Sequence, residues 1–158
     1  MIFITVGTQL PFDRLICKLD DFFKDSNEDV FAQIGPSEKS PKNIDYTDFV
    51  KPSDIDNLYE NSCLVIAHAG MGSILTALKY KKPILIIPRK ASLGEHRNEH
   101  QLATANWVKD LSGVFVAMDE IEMIDILKEK DKLLSGVKIN PNAEEQLISF
   151  IKSFINDK

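Results

Sequence analysis

Short apolar runs, rich in β-branched side chains, recur along the chain at residues 2–6, 30–34, 64–67, 84–87 and 114–117. They are continuous or nearly so rather than alternating, the pattern of strands covered on both faces. Between them, residues 12–24, 54–61, 73–80, 98–111 and 120–129 carry apolar side chains at helical spacing; Leu15, Leu19, Phe22 and Phe23 mark one face of the first. Strand followed by helix, five times over, predicts an open α/β fold with a parallel sheet and helices on both faces. Residues 44–50 offer a further strand, after which Ser53 is expected to cap the next helix, with Asp54 and Asp56 in its first turn. The stretch 35–43, with Pro36, Ser37, Ser40 and Pro41, reads as a polar loop within a single domain. After Pro141, residues 142–156 form a separate amphipathic pattern (Leu147, Ile148, Ile151, Phe154, Ile155), a helix expected to pack on its own sheet or to be shared with a partner.

A chain of 158 residues is long enough to bury roughly two thirds of its unfolded surface as one domain. With 44% hydrophobic and 27% charged residues it has the balance of a folded soluble protein. The formal net charge of -5 has the wrong sign for a domain that neutralises phosphate backbones, so nucleic acid is not expected as a partner. Cys17 and Cys63 make no metal-type spacing and are expected as free thiols, Cys63 as a small core residue opening an apolar run. The opening run lacks a basic flank and is too short for a signal peptide, and no run approaches the roughly 20 apolar residues of a membrane span. A cytoplasmic location is the expectation.

Ligands of open α/β sheets bind at the carboxyl ends of the strands, which directs attention to three loops. Gly7-Thr8-Gln9 follows the first strand, His68-Ala69-Gly70-Met71-Gly72-Ser73 follows the third apolar run, and a polar stretch, 88–97, follows the fourth. The glycine turn at Gly70 and Gly72 leads into a helix, whose free N–H groups and positive dipole end suit an anion such as a diphosphate. A tight strand-to-helix turn needs glycine in any case, so the turn by itself fits either role. Leu75 occupies the third glycine position of the dinucleotide fingerprint, and no phosphate-binding loop of the G-x-x-x-x-G-K type occurs.

His68, His96 and His100 all fall in or beside these loops. The segment from His96 to His100 matches the H-x-x-E-H pattern of some zinc peptidases, but the pattern places no third ligand and no metal site is expected. Asp54-Ile55-Asp56 resembles a D-x-D metal site, yet its position at a helix start accounts for both acids as compensation of the helix dipole.

Taken together, Thr5-Val6-Gly7-Thr8-Gln9 followed by Phe12-Asp13-Arg14-Leu15-Ile16, the His68–Ser73 loop, Lys82-Pro83, Pro88-Arg89, Glu95-His96 and His100-Gln101 resemble the C-terminal domain of family 28 glycosyltransferases. The match runs to about Ala105, and it is most similar to stand-alone versions of that domain, such as the cytosolic subunit of a two-part N-acetylglucosaminyltransferase and bacterial exopolysaccharide and capsule counterparts. The resemblance implies a Rossmann-like domain forming half of a GT-B fold. It implies a UDP-sugar donor with its diphosphate against Gly7, Thr8, Gly70, Gly72 and Ser73, flanked by Gln9, His68 and Met71. Uracil would lie near Phe49 and Val50, the donor sugar near His100 and Gln101, and Glu95 and His96 in the same pocket.

One departure stands out: the glutamate that the family usually places three residues beyond Ser73, as acceptor for the ribose hydroxyls, is Thr76 here. The implied reaction is inverting sugar transfer to a lipid-diphosphate-linked saccharide in polysaccharide synthesis, without a cofactor. It implies recruitment to the inner face of the membrane by a partner subunit that binds the acceptor and holds the general base, and association of the chain with itself is possible. A non-catalytic nucleotide-sugar-binding or regulatory subunit is the alternative.

Overall fold

The computed structural model describes residues 1–135; the expected helix at 142–156 lies outside them. Six parallel strands, β1 (Ile2–Thr5), β2 (Val30–Gln33), β3 (Asp45–Thr47), β4 (Leu64–His68), β5 (Ile84–Ile87) and β6 (Val114–Val116), form one sheet in the order β3-β2-β1-β4-β5-β6. Helices α1 (Asp13–Phe23), α2 (Pro52–Asn61), α3 (Met71–Lys79), α4 (His100–Val108) and α5 (Glu120–Lys128) connect or follow the strands. This is the open doubly wound arrangement that the alternating pattern predicts.

The continuous apolar runs are explained by the two cores they separate. Ile2, Ile4, Ile66, Leu85 and Ile87 point to a core shared with Leu15, Leu19 and Phe23 of α1 and Met123 and Leu127 of α5. Phe3, Val65, Ala67, Ile84 and Ile86 face the other side, against Tyr59 of α2, Ile74 and Ala77 of α3, and Ala105 and Val108 of α4. Because successive strand residues point to opposite faces, only a strand apolar at every position fills both layers.

Local boundaries differ from the sequence expectations where turn chemistry decides. The strand expected over 44–50 is the three-residue β3, an edge strand exposed at Asp45 and Tyr46. Helix α2 starts earlier, with Pro52 in its first turn, where the missing N–H costs nothing. Ser53 is therefore inside the helix and not its cap, its hydroxyl turned to Asp54 Oδ1 at 2.9 Å. Helix α4 is shorter at both ends than 98–111. Cys63 is exposed, contrary to its expected core position: its N–H and thiol both meet the carbonyl of Met1, and the inward positions begin at Leu64.

Candidate functional site

Strand order reverses direction between β1 and β4: from β1 the chain winds outward to β2 and β3, then returns to β4 and continues to β5 and β6. Loops leaving the carboxyl ends of two such neighbours diverge and leave a crevice. A cleft of about 680 Å³ lies there. Gly7, Thr8 and Gln9 after β1, and His68, Met71, Gly72 and Ser73 after β4, line it, joined by Val50, Thr76, His96 and Gln101. Phe49, Gly70, Glu95 and His100 from the expected set do not line it.

Helix α3 opens into the cleft. The first helical bond runs from Ile74 N–H to the carbonyl of Gly70, so the amides of Met71, Gly72 and Ser73 have no helical acceptor, and no side chain caps them. Those N–H groups and the dipole behind them form an anion-binding terminus. The Ser73 hydroxyl is engaged by the phenol of Tyr59, a buried cleft residue that burial pushes up to about 12 and Ser73 partly offsets. The Thr76 hydroxyl donates to Gly72 O at 2.7 Å, one turn back along the helix.

His68 ends β4 and is largely buried between two glycines. A Cβ on Gly7 would sit 2.9 Å from its Cε1, and one on Gly70 would collide with its Nε2, so a side chain at either position would displace the ring. Gly7 also has φ +75. Gly70 thus shapes the turn from behind the ring. Burial, with the charge of Arg89 adding to it, lowers the His68 pKa to about 4, so the imidazole is neutral at physiological pH. Its Nδ1 is buried without a hydrogen-bond partner among the described residues.

Gln33 ties the two sides of the cleft together. Its Nε2 donates to Thr5 Oγ1 at 3.3 Å and to Gly7 O at 3.2 Å, while its Oε1 accepts from Val50 N–H at 3.1 Å. The backbone at Val50 is therefore fixed to the loop after β1, whereas the Phe49 ring is 53% exposed. On α2, Pro52, Ile55, Asp56 and Tyr59 recur at helical spacing and face the cleft. Asp56, read from sequence only as a dipole-compensating residue, is thus a cleft residue, paired with Lys79 of α3 at 3.6 Å.

The loop after β5 is held by charge. Arg14 of α1 grips Glu95 in a fork, Nε to Oε1 at 2.6 Å and Nη2 to Oε2 at 2.8 Å, and reaches Pro88 O at 3.1 Å. Glu95 also accepts from Lys90 N–H at 2.9 Å. This ion pair commits Glu95 to shaping the loop. The Gln101 Oε1 accepts from Arg89 N–H at 3.0 Å and so anchors the same loop from α4. The His100 side chain is exposed, while the His96 ring contacts the backbone at Asn98. Among the described residues no group of His, Cys, Asp and Glu is arranged to hold a metal ion.

Gln33 and Tyr59 have no part in the sequence reading, where Arg89 stands only within the Pro88-Arg89 motif and Asp56 only as a helix-dipole residue. Gln33 and Arg89 are polar residues within or just after apolar runs, and that interruption is the signal that marks them. Tyr59 and Asp56 sit on an amphipathic helix, and only the fold shows which face meets the cleft.

The model for the glycosyltransferase family 28 C-terminal domain matches residues 1–156. Among curated proteins, the UDP-N-acetylglucosamine transferase subunit ALG13 of Cryptococcus neoformans is 41% identical over 49 residues, covering 30% of this chain and 24% of that protein. The matched stretch thus spans about a quarter of the curated relative. A solution structure of ALG13 superposes with a TM-score of 0.62 at 20% identity, over 92% of this chain and 94% of that one. MurG of Acinetobacter baumannii gives 0.58 at 17% identity, over 84% of this chain and 42% of that one. At such identities the structural likeness speaks to the fold alone.

Proposed function

The chain belongs to the glycosyltransferase family 28 C-terminal domains, and on that premise we propose that it is the donor-binding subunit of a UDP-sugar-dependent hexosyltransferase. The observation that carries this reading is the convergence of the Gly7–Thr8 loop and the unsatisfied amides at the start of α3 on one cleft. The free amides at the start of α3, opening on a cleft whose other wall is the loop after β1, suit a diphosphate. The base lies toward Val50 and the donor sugar toward His96 and Gln101.

The reaction in this reading is inverting transfer to a hydroxyl of a lipid-diphosphate-linked saccharide in polysaccharide synthesis. As the bond from the sugar to the diphosphate breaks, charge grows on the departing UDP, and the α3 terminus stabilises it without reorganising. The proton of the attacking hydroxyl goes to a base on a membrane-associated, acceptor-binding partner. The Cryptococcus neoformans relative is named as a subunit of a transferase, which supports a two-chain arrangement. No helix among the described residues is long and apolar enough to cross a membrane.

A second reading, a nucleotide-sugar-binding subunit without turnover, is favoured by one feature: Thr76 offers no carboxylate to ribose and turns its hydroxyl to the backbone. Calorimetric titration with UDP in the absence of divalent metal tests the common premise. Saturable one-to-one binding is expected; no UDP binding, with zinc retained stoichiometrically, contradicts it. Transfer from a UDP-sugar to lipid-linked acceptor by the chain co-expressed with its partner then separates catalyst from binder.

A further inference from the structure

Arg89 follows β5, is 3% exposed and nevertheless lines the cleft. Its Nη2 donates to Val6 O at 2.8 Å and Leu10 O at 2.6 Å, and its Nε to Pro11 O at 3.3 Å. These bonds fix the guanidinium beneath the loop that follows β1, with the Phe12 ring centroid 5.0 Å from Cζ. A guanidinium carries five N–H donors. The three bonds consume the Nε hydrogen and both on Nη2, and Nη1 makes no hydrogen bond among the described residues.

Its charge is equally incomplete. All three acceptors are neutral carbonyls, and the one acid whose charge acts on it, Glu95, is held in the fork of Arg14. Burial lowers its pKa to about 10, which leaves it cationic at neutral pH, while its neighbour His68 is neutral. A buried cation without a counter-ion is costly unless something supplies the opposite charge. An anion in the cleft does so.

We propose that Arg89 is the phosphate-reading residue of the site, its Nη1 donating to an oxygen of the ligand's diphosphate while Nε and Nη2 hold the loop from Val6 to Pro11 in place. This rests on the UDP-sugar reading above, and it adds a fixed positive charge to a site otherwise built from backbone amides. A guanidinium locked by three bonds loses little freedom on meeting the ligand, so its contact is preorganised. The role predicts discrimination by phosphate charge rather than by base.

The test is calorimetric binding of UDP, UMP and uridine to the full chain and to R89M and R89K. R89M is expected to weaken UDP by at least about tenfold, UMP by less, and uridine by no more than about twofold. R89K, which keeps the charge, should recover most of the UDP affinity. Should circular dichroism show R89M unfolded, R89Q is measured in its place with the same reading. Parallel loss of UDP and uridine in R89M, equal loss of UDP in R89M and R89K, or UDP affinity in R89M within about twofold of the parent overturns the assignment. Failure of the parent chain to bind UDP overturns the donor reading itself, an outcome distinct from UDP binding that ignores Arg89.

Discussion

At Gly72 a methyl group would meet no protein atom within 4 Å, because that side of the α3 terminus faces the cleft. Gly72→Ala therefore has opposite effects on stability and binding. A helical Gly-to-Ala change stabilises by about 1 kcal/mol, while the added methyl intrudes where a diphosphate would lie. A raised melting temperature with weakened UDP binding is expected. His68 gives a second prediction at this scale. Its folded pKa, about 4, lies below the ordinary 6.5, so the unfolded chain binds the proton more tightly. Its contribution is complete above pH 6.5 and is lost as pH falls toward 4, about 3 kcal/mol across that window. In urea melts the stability gap between the parent and His68→Gln should narrow over that range. Among site residues, the glycines, His68 and Ser73 were legible because their spacing after an apolar run is itself the signal. Gln33 and Arg89 were not, since the partners of their side chains lie 17 to 83 positions away in sequence.

At the scale of elements, the stretch after β5 depends on one buried ion pair joining α1 to the loop. Arg14 and Glu95 side chains are 15% and 12% exposed. Arg14 also pairs with Glu120 of α5 at 3.0 Å, so Arg14→Met removes both contacts, leaves the Glu95 charge buried and should cost about 3 kcal/mol. The double change Arg14→Met, Glu95→Gln should recover part of that, a coupling that a double-mutant cycle measures. At the other end of the sheet, Asp119 caps α5 through Ile121 and Glu122 N–H at 3.0 and 2.9 Å. Asp119→Ala should cost about 1 kcal/mol in a thermal melt without changing ligand affinity. Among the described residues the identity of the main strands and helices was readable from periodicity, whereas α2 and β3 moved at their edges. Pro52 supplies a helix start that competes with Ser53, and the polar side chains of Asp45 and Tyr46 suit only a short edge strand.

For the whole molecule, alternating strands and helices announced a parallel sheet but not the order of its strands, because strand order is set by which crossovers pack on which face. That order creates the crevice between β1 and β4 and so brings together loops some 60 residues apart in the chain, Gly7–Gln9 and His68–Ser73. The two loops that the family resemblance sets against one diphosphate do line a single crevice, with α2 as its third wall. That this crevice holds a nucleotide diphosphate is checked by titrating the isotope-labelled chain with UDP and following backbone amide shifts. Saturable shifts are expected, concentrated at Gly7, Thr8, Met71, Gly72 and Ser73, with smaller ones at Val50 and Thr76. Absence of shifts, or shifts confined to α5 and the far face of the sheet, would contradict it.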